Sequence, residues 1–264
     1  MKDGLPEYLY HYTSLSSLGL ILKNRNIKFN SLRNMDDLEE MRASDLTEYG
    51  KYYFVSSWTD KPEEKLSLWN MYTKDMTGVR IKLHTLPFET YTYHLNNGVY
   101  DIVSEDNFLP QDFFQPDKYI PVYYPNERFV EKIEYTDDES LIYPKLIHYN
   151  HATNQSSVEL GIVCKYKRSE WYFQDEVRYK ILFLPIKLKD AHNIEMLKNN
   201  IINQLSIPFE FVFLKIKEQY FKNIEITKGP KMSYADSELL ELLVKNYCPS
   251  AKIIESKFKD KIRI

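Results

Sequence analysis

His11 stands where an imidazole can do chemistry. It lies in residues 8–12, whose aromatic alternation predicts a strand, and Thr13 or Ser14 then begins a predicted helix. A histidine at the end of a strand and next to a helix start can hydrogen-bond a ribose hydroxyl or transfer a proton. A core histidine that bonds only backbone groups is the alternative.

Glu176 is the second candidate, because it opens the alternating segment 176–183. A carboxylate on such a strand can stabilise a positive charge that develops in a reacting ligand. An ion pair with Arg178 or Lys180 is the alternative. Trp69 and Tyr72 lie at i and i+3 of one predicted helix, and this spacing suits core packing or the stacking of a ligand ring.

Hydrophobic periodicity and turn residues predict the elements that must position these side chains. Strands are expected at 8–12, 27–30, 52–57, 78–83, near 119–124, and at 176–183, 210–214, 223–227 and 251–255. Helices are expected from residue 13 or 14 to 24, after Pro62, and at 140–150, 157–166 and 235–246. Because strands and helices do not alternate regularly, we expect an α+β fold.

Composition excludes several classes of site. The seven glycines of the 264 residues are too dispersed for a dinucleotide fingerprint or a phosphate loop, since the closest pair, Gly4 and Gly19, is fifteen positions apart. The formal net charge of -3 gives no global nucleic-acid signature, although Lys165, Lys167, Arg168, Arg178 and Lys180 offer a local basic patch, with a solvated face as the alternative.

Metal binding and membrane insertion are not expected. The two cysteines are isolated, and the acidic residues 34–40 are interpreted as a solvated helix start, so we predict no metal site. The longest apolar run has six residues, and the first residues lack the apolar core of a signal peptide. The isolated cysteines favour a reducing cytoplasm. The length suits one large domain or two small ones, and we expect one domain, 1–264, with an insert of loops and helices at 85–170.

Several short motifs carry a family resemblance that covers nearly the whole chain. They are Leu9-Tyr-His-Tyr-Thr-Ser14, Leu20-Ile-Leu, residues 27–31 and 34–39, Val55-Ser-Ser-Trp-Thr, Leu66-Ser-Leu-Trp-Asn-Met-Tyr72, Gly78-Val, an acid before Arg178, Gly229-Pro230 and residues 256–263. In this pattern the chain resembles a widespread bacterial family of unknown function, whose members read L-Y-H-Y-T-S, then a helix, a short strand and N-D-x-x-E.

The order of parts is also similar to that of ADP-ribosyltransferases. Those enzymes place a histidine on the first strand, a small polar residue and a helix after it, a tyrosine on a later helix, and a catalytic glutamate at the start of a late strand. The matching positions here are His11, Thr13 or Ser14, Tyr72 and Glu176. In the polymerases of this class a glycine follows the histidine, whereas this chain has Tyr12.

This resemblance implies an α+β fold of split mixed or antiparallel sheets with flanking helices, and NAD as substrate in a cleft between them. It implies that His11 bonds the nicotinamide ribose, that Tyr72 or Trp69 stacks on the nicotinamide, and that Glu176 stabilises the oxocarbenium-like transition state. Gln174 would orient the acceptor, and the cofactor-binding residues would be His11, Tyr12, Thr13, Ser14, Trp69 and Tyr72.

The biological role implied is that of a toxin or phage-defence effector. Its acceptor would be a protein or a nucleic acid, and a neutralising partner would accompany a toxin. The alternative is a non-catalytic module that binds a nucleotide or peptide in the same cleft. In that case His11 and Glu176 would lie apart, or Tyr12 would fill the cleft.

Overall fold

The computed structural model describes residues 4–46, 48–96, 101–122, 129–159 and 161–263. It is a mixed α+β fold built on a largely antiparallel sheet, as expected. The strands are β1 Tyr8–Thr13, β2 Asn26–Ser31, β3 Tyr53–Thr59, β4 Val79–His84, β5 Tyr91–Asn96, β6 Asp101–Asn107, β7 Ile120–Val122, β8 Val130–Lys132, β9 Glu134–Tyr135, β10 Ile147–Asn150, β11 Gln155–Val158, β12 Tyr166–Lys167, β13 Glu176–Leu184, β14 Phe211–Lys215, β15 Glu225–Lys228 and β16 Lys252–Ile254. The helices are α1 Leu15–Asn24, α2 Leu66–Tyr72, α3 Glu139–Ile142, α4 Ile194–Ile202, α5 Glu218–Phe221 and α6 Tyr234–Tyr247.

The main sheet consists of two half-sheets. The first half-sheet is β1, β4, β15 and β16, and the second is β2, β3, β13 and β14 with the short strands β7 and β8. One residue pair, Tyr10 with Thr59, joins β1 to β3, whereas β1 pairs with β4 along its whole length. The two half-sheets therefore separate beyond Tyr10, and the side chains along the separation are free to line a cleft.

The strand β13 is the centre of the second half-sheet. All nine of its residues are buried, and it pairs with β3 over seven residues from Glu176 to Leu182. Its other edge is covered by β7 and β8. Because both faces of β13 are covered, the charged residues that alternate along it must find partners inside the protein.

Helix α1 connects the two half-sheets, since it leads from β1 to β2. The Ser14 side chain caps it by accepting a hydrogen bond from the Ser17 amide. Its apolar face, Leu18, Ile21 and Leu22, is buried in the main core. Ser14, expected to bind a cofactor, thus has a structural role at this helix start.

The segment 85–170 differs from the expected insert of loops and helices. Its described residues form two hairpins, β5–β6 and β10–β11, and the parallel pair β9–β12. The helices expected at 140–150 and 157–166 are wrong, since the described residues of these ranges contain only the single helical turn α3. Of the strand expected near 119–124, Ile120–Val122 forms, and residues 123 and 124 lie outside the described residues.

The helix expected over the acidic residues is a 3-10 turn, Glu39–Met41. The helix after Pro62 begins later than expected, at Leu66, and a tight connection follows it. A Cβ atom built on Gly78 would lie 2.2 Å from the Thr13 carbonyl oxygen and 2.8 Å from Thr73 Cβ. Glycine at this position therefore lets α2 approach the end of β1.

Candidate functional site

A cavity of about 480 Å³ opens between the two half-sheets. Residues of β1 and β3 line it from both sides, and α1, α2, β2, residues 34–37, β14 and the segment before β13 complete its wall. Six of the predicted site residues line this one cavity: His11, Tyr12, Thr13, Tyr72, Gln174 and Glu176. Ser14 and Trp69 do not line it.

His11 links the two half-sheets at the cavity wall. Its Nδ1 lies 2.9 Å from the Ser57 carbonyl oxygen of β3, and its ring packs against Trp58 with centroids 4.9 Å apart. Burial lowers the pKa of His11 below its usual 6.5, although the hydrogen bond to Ser57 opposes this. The ring is therefore neutral at pH 7. Because a carbonyl only accepts, Nδ1 carries the proton and Nε2 is a hydrogen-bond acceptor.

The aromatic residues near His11 are fixed by contacts with α2. The Tyr12 hydroxyl accepts a hydrogen bond from the Lys65 amide at 3.1 Å, and its ring meets Trp69 edge-on at 4.9 Å. Trp69 is fully buried, and its indole donates to Glu64 at 2.9 Å. Trp69 thus packs against Tyr12 and, because it is fully buried, has no exposed ring face for a ligand. Of the two predicted stacking residues, only Tyr72 reaches the cavity.

Glu176 lies at the cavity wall in a cluster of four buried charges. Its Oε1 accepts from Arg178 Nε at 2.7 Å, and its Oε2 accepts from Lys167 Nζ at 2.8 Å. Both cations also bond Glu40, Arg178 through two nitrogens at 2.8 and 3.1 Å and Lys167 at 2.9 Å. The expected pair with Arg178 therefore exists, but it is half of a cluster with zero net formal charge.

The cluster keeps Glu176 ionised. Burial raises the pKa of this carboxyl, but the charges of Arg178 and Lys167 and their hydrogen bonds outweigh it and bring the pKa to about 2. Burial lowers the pKa of Lys167, and the Glu176 carboxylate opposes that shift. Each carboxylate oxygen of Glu176 uses one acceptor position on a cation and retains a second.

Gln174 connects this cluster to α2. Its side-chain oxygen accepts from Lys167 Nζ at 2.9 Å, and its amide nitrogen donates to the Tyr72 hydroxyl. Asp175 has a left-handed backbone, with φ of 42°, where the 3-10 helix Ser169–Gln174 turns into β13. Burial raises the pKa of Tyr72, so its phenol stays protonated and retains a donor for a ligand.

Sequence reasoning missed two members of the cluster. Glu40 was interpreted as part of a solvated helix start, and Lys167 as part of a basic patch. Both are buried, as are Arg178 and Lys180, so the predicted basic patch does not form. The available signal was Glu176-x-Arg178-x-Lys180 itself, because three charges on a strand with both faces covered require opposite charges nearby.

Comparisons with protein-family models, with curated proteins and with solved structures found no significant match. Within the described ranges, no group of three or more His, Cys, Asp or Glu is arranged to hold a metal ion. In the same residues, every helix is too short or too polar to cross a membrane.

Proposed function

We propose that this protein is an ADP-ribosyltransferase-like enzyme that binds NAD in the cleft between the half-sheets. The observation that carries the proposal is the single pair, Tyr10 with Thr59, that joins β1 to β3. It leaves a cavity lined by His11, Tyr72 and Glu176, and these residues come from three separate parts of the chain.

The chemistry of these groups suits cleavage of the bond between nicotinamide and ribose. The bonding electrons leave with nicotinamide and neutralise its pyridinium charge, while positive charge develops on the ribose. Glu176 is ionised, and its remaining acceptor positions can take a ribose hydroxyl and stabilise that charge. His11 Nε2 accepts from a second hydroxyl. An acceptor group then attacks the anomeric carbon and loses a proton.

The resemblance assigns Tyr72 and Gln174 to the two ends of this reaction, and the structure leaves only Tyr72 free to act. Tyr72 presents a phenol ring to the cavity and can stack on the nicotinamide. Gln174 is less available than the resemblance implies, because both ends of its amide already have protein partners. Its role in this structure is to position Tyr72 and Lys167, and contact with an acceptor would require one of these bonds to open.

The second candidate is a module that binds a nucleotide without cleaving it. The zero net formal charge of Glu40, Glu176, Lys167 and Arg178 favours this function, because a neutral cluster stabilises a distant cation less than a free carboxylate does. The shared cavity of His11, Tyr72 and Glu176 favours the enzyme. Both functions predict NAD binding, and only the enzyme predicts nicotinamide release.

The test measures NAD binding by calorimetry and nicotinamide release from labelled NAD for wild type and Glu176→Gln. We expect wild type to release nicotinamide and Glu176→Gln to bind NAD with at least a hundredfold lower release. The matched control is Glu238→Gln, an exposed glutamate on α6. Binding without release by wild type would establish the second candidate, and the absence of binding would contradict both.

A further inference from the structure

The strands β2 and β14 have one face that points away from the core. The outward residues are Asn26, Lys28 and Asn30 on β2 and Phe211, Phe213 and Lys215 on β14, which we call the β2–β14 face. The cross-strand pairs are Asn30 with Phe211, Lys28 with Phe213, and Asn26 with Lys215. The alternate residues, such as Phe29 and Val212, are fully buried.

The two phenylalanines on this face are exposed. Phe211 and Phe213 retain 42% and 39% of their accessible surface, whereas Val212 and Leu214, which point to the other face of β14, retain none. β14 is a terminal strand of the sheet. Their rings lie 5.6 Å apart. Because their planes are inclined by 68°, the two rings offer two separate stacking surfaces for planar ligand groups rather than one flat platform.

In the part of the chain that the structure describes, the polar side chains of this face have neither hydrogen-bond nor ion-pair partners. Among the described residues, the side-chain amides of Asn26 and Asn30 have no hydrogen-bond partner, and Lys28 and Lys215 make no ion pair. Lys28 Nζ lies 4.4 Å from the centre of the Phe211 ring. The six residues include two cations and no carboxylate, in a chain whose net charge is -3.

We propose that the β2–β14 face binds single-stranded nucleic acid. Phe211 and Phe213 would stack with unpaired bases, Asn26 and Asn30 would bond base edges, and Lys28 and Lys215 would contact phosphates. A duplex is excluded because its base faces are already stacked. A peptide that adds to the edge of β14 would use backbone groups and would leave the lysines and asparagines of this face unused.

This proposal goes beyond the proposed function, and it holds whether or not the cleft cleaves NAD. The two sites share one cavity, since Asn26, Lys28, Asn30, Phe211 and Phe213 line the cavity that also contains Glu176. If both proposals are correct, a bound strand presents its bases to the cleft as acceptors.

The test is fluorescence anisotropy of the full chain with a labelled oligothymidylate of about twelve nucleotides. The variants are Phe211→Ala, Phe213→Ala, Lys28→Gln and Lys215→Gln, all at exposed residues. Tyr234→Ala and Lys245→Gln, at exposed positions of α6, are matched controls. We expect each phenylalanine variant to weaken binding roughly tenfold and the controls to have no effect.

Salt dependence tests the lysines separately. Two phosphate contacts predict a slope of about -1.4 in log affinity against log salt, and each Lys→Gln change reduces its size by about 0.7. Absence of binding at low salt, equal binding of wild type and the phenylalanine variants, or equally tight binding of thymidine monophosphate or of the duplex would overturn the proposal. Circular dichroism of each variant confirms that it is folded.

Discussion

Lys167 shows how one residue holds the candidate site together. Its ammonium has three protons, and Glu40, Glu176 and Gln174 accept them at 2.8–2.9 Å. A neutral lysine has one proton fewer and would leave one of these buried acceptors unsatisfied. The cluster is therefore complete within the protein, and of its four charged groups only Glu176 and Lys167 line the cavity that a ligand would enter.

The depressed pKa of Glu176 predicts an acid-sensitive stability. Because Arg178 and Lys167 hold the pKa of this carboxyl below its unfolded value of 4.5, its ionisation stabilises the fold at neutral pH. That contribution is fully present above about pH 4.5 and is lost as the pH falls toward 2. Urea unfolding across this range should show a steeper loss in wild type and Glu238→Gln than in Glu176→Gln, and equal slopes would contradict the pairing.

His11 gives a second prediction at this scale. Because burial lowers its pKa, the folded state resists protonation, and stability falls as the pH drops below the usual value of 6.5. We expect its NMR titration midpoint below 6.5 and ¹⁵N shifts of the Nδ1–H tautomer at pH 7. The spectrum of His11→Gln assigns the signal. A midpoint above 6.5 would mean that the hydrogen bond to Ser57 is not made by a neutral ring.

Among the elements, strands with aromatic or β-branched alternation were predictable. β1, β3, β4 and β13 lie close to their expected positions, because burial of at least one face imposes the pattern that the sequence displays. Helices α1 and α6 also lie close to their expected bounds, and Ser14 and Ser233 cap them.

The hairpin β10–β11 was not predictable from periodicity. Its residues are largely exposed, so no buried face imposes an alternation on them. What defines it is a turn, in which the Asn150 side chain accepts from the Ala152 and Thr153 amides and Asn154 has a left-handed backbone. Asparagine-rich turn chemistry was the available signal.

The residues of the candidate site were also predictable only where a local sequence pattern reveals them. His11 and Glu176 were predictable because each stands at the end of a patterned strand. Glu40 and Lys167 were not, because their burial depends on contacts with β13 that no local pattern encodes. The role of Trp69 was also hidden, since spacing on a helix does not tell which of two aromatic residues faces the cavity.

Replacement by alanine should have opposite effects on stability at Gly78, in the connection between α2 and β4, and at Gly19, inside α1. Gly78→Ala places a Cβ against the Thr13 carbonyl and should destabilise the fold by about 1–3 kcal/mol. Gly19→Ala is the matched control inside α1, where the nearest atom is Leu243 Cδ1 at 3.6 Å, and it should stabilise by about 0.5–1 kcal/mol. Thermal unfolding measures both, and a neutral Gly78→Ala would show that the connection can move.

For the whole molecule, the separation between the half-sheets is the property that ligand binding should change. NAD in the cleft would contact both β1 and β3 and would oppose their opening. We expect hydrogen exchange at residues 10–13 and 55–59 to slow at saturating NAD, while exchange in α6 stays unchanged. Binding without protection of these residues would place NAD elsewhere on the protein.

The late position of β13 in the chain also affects folding during translation. Thr59 leaves the ribosome long before its partner Glu176, so the edge of β3 has no strand to pair with while the intervening residues are synthesised. Such an edge can pair with other chains. Pairing of this edge must therefore wait for residues 176–184, and slow translation before them lengthens the period in which the nascent chain is prone to aggregation.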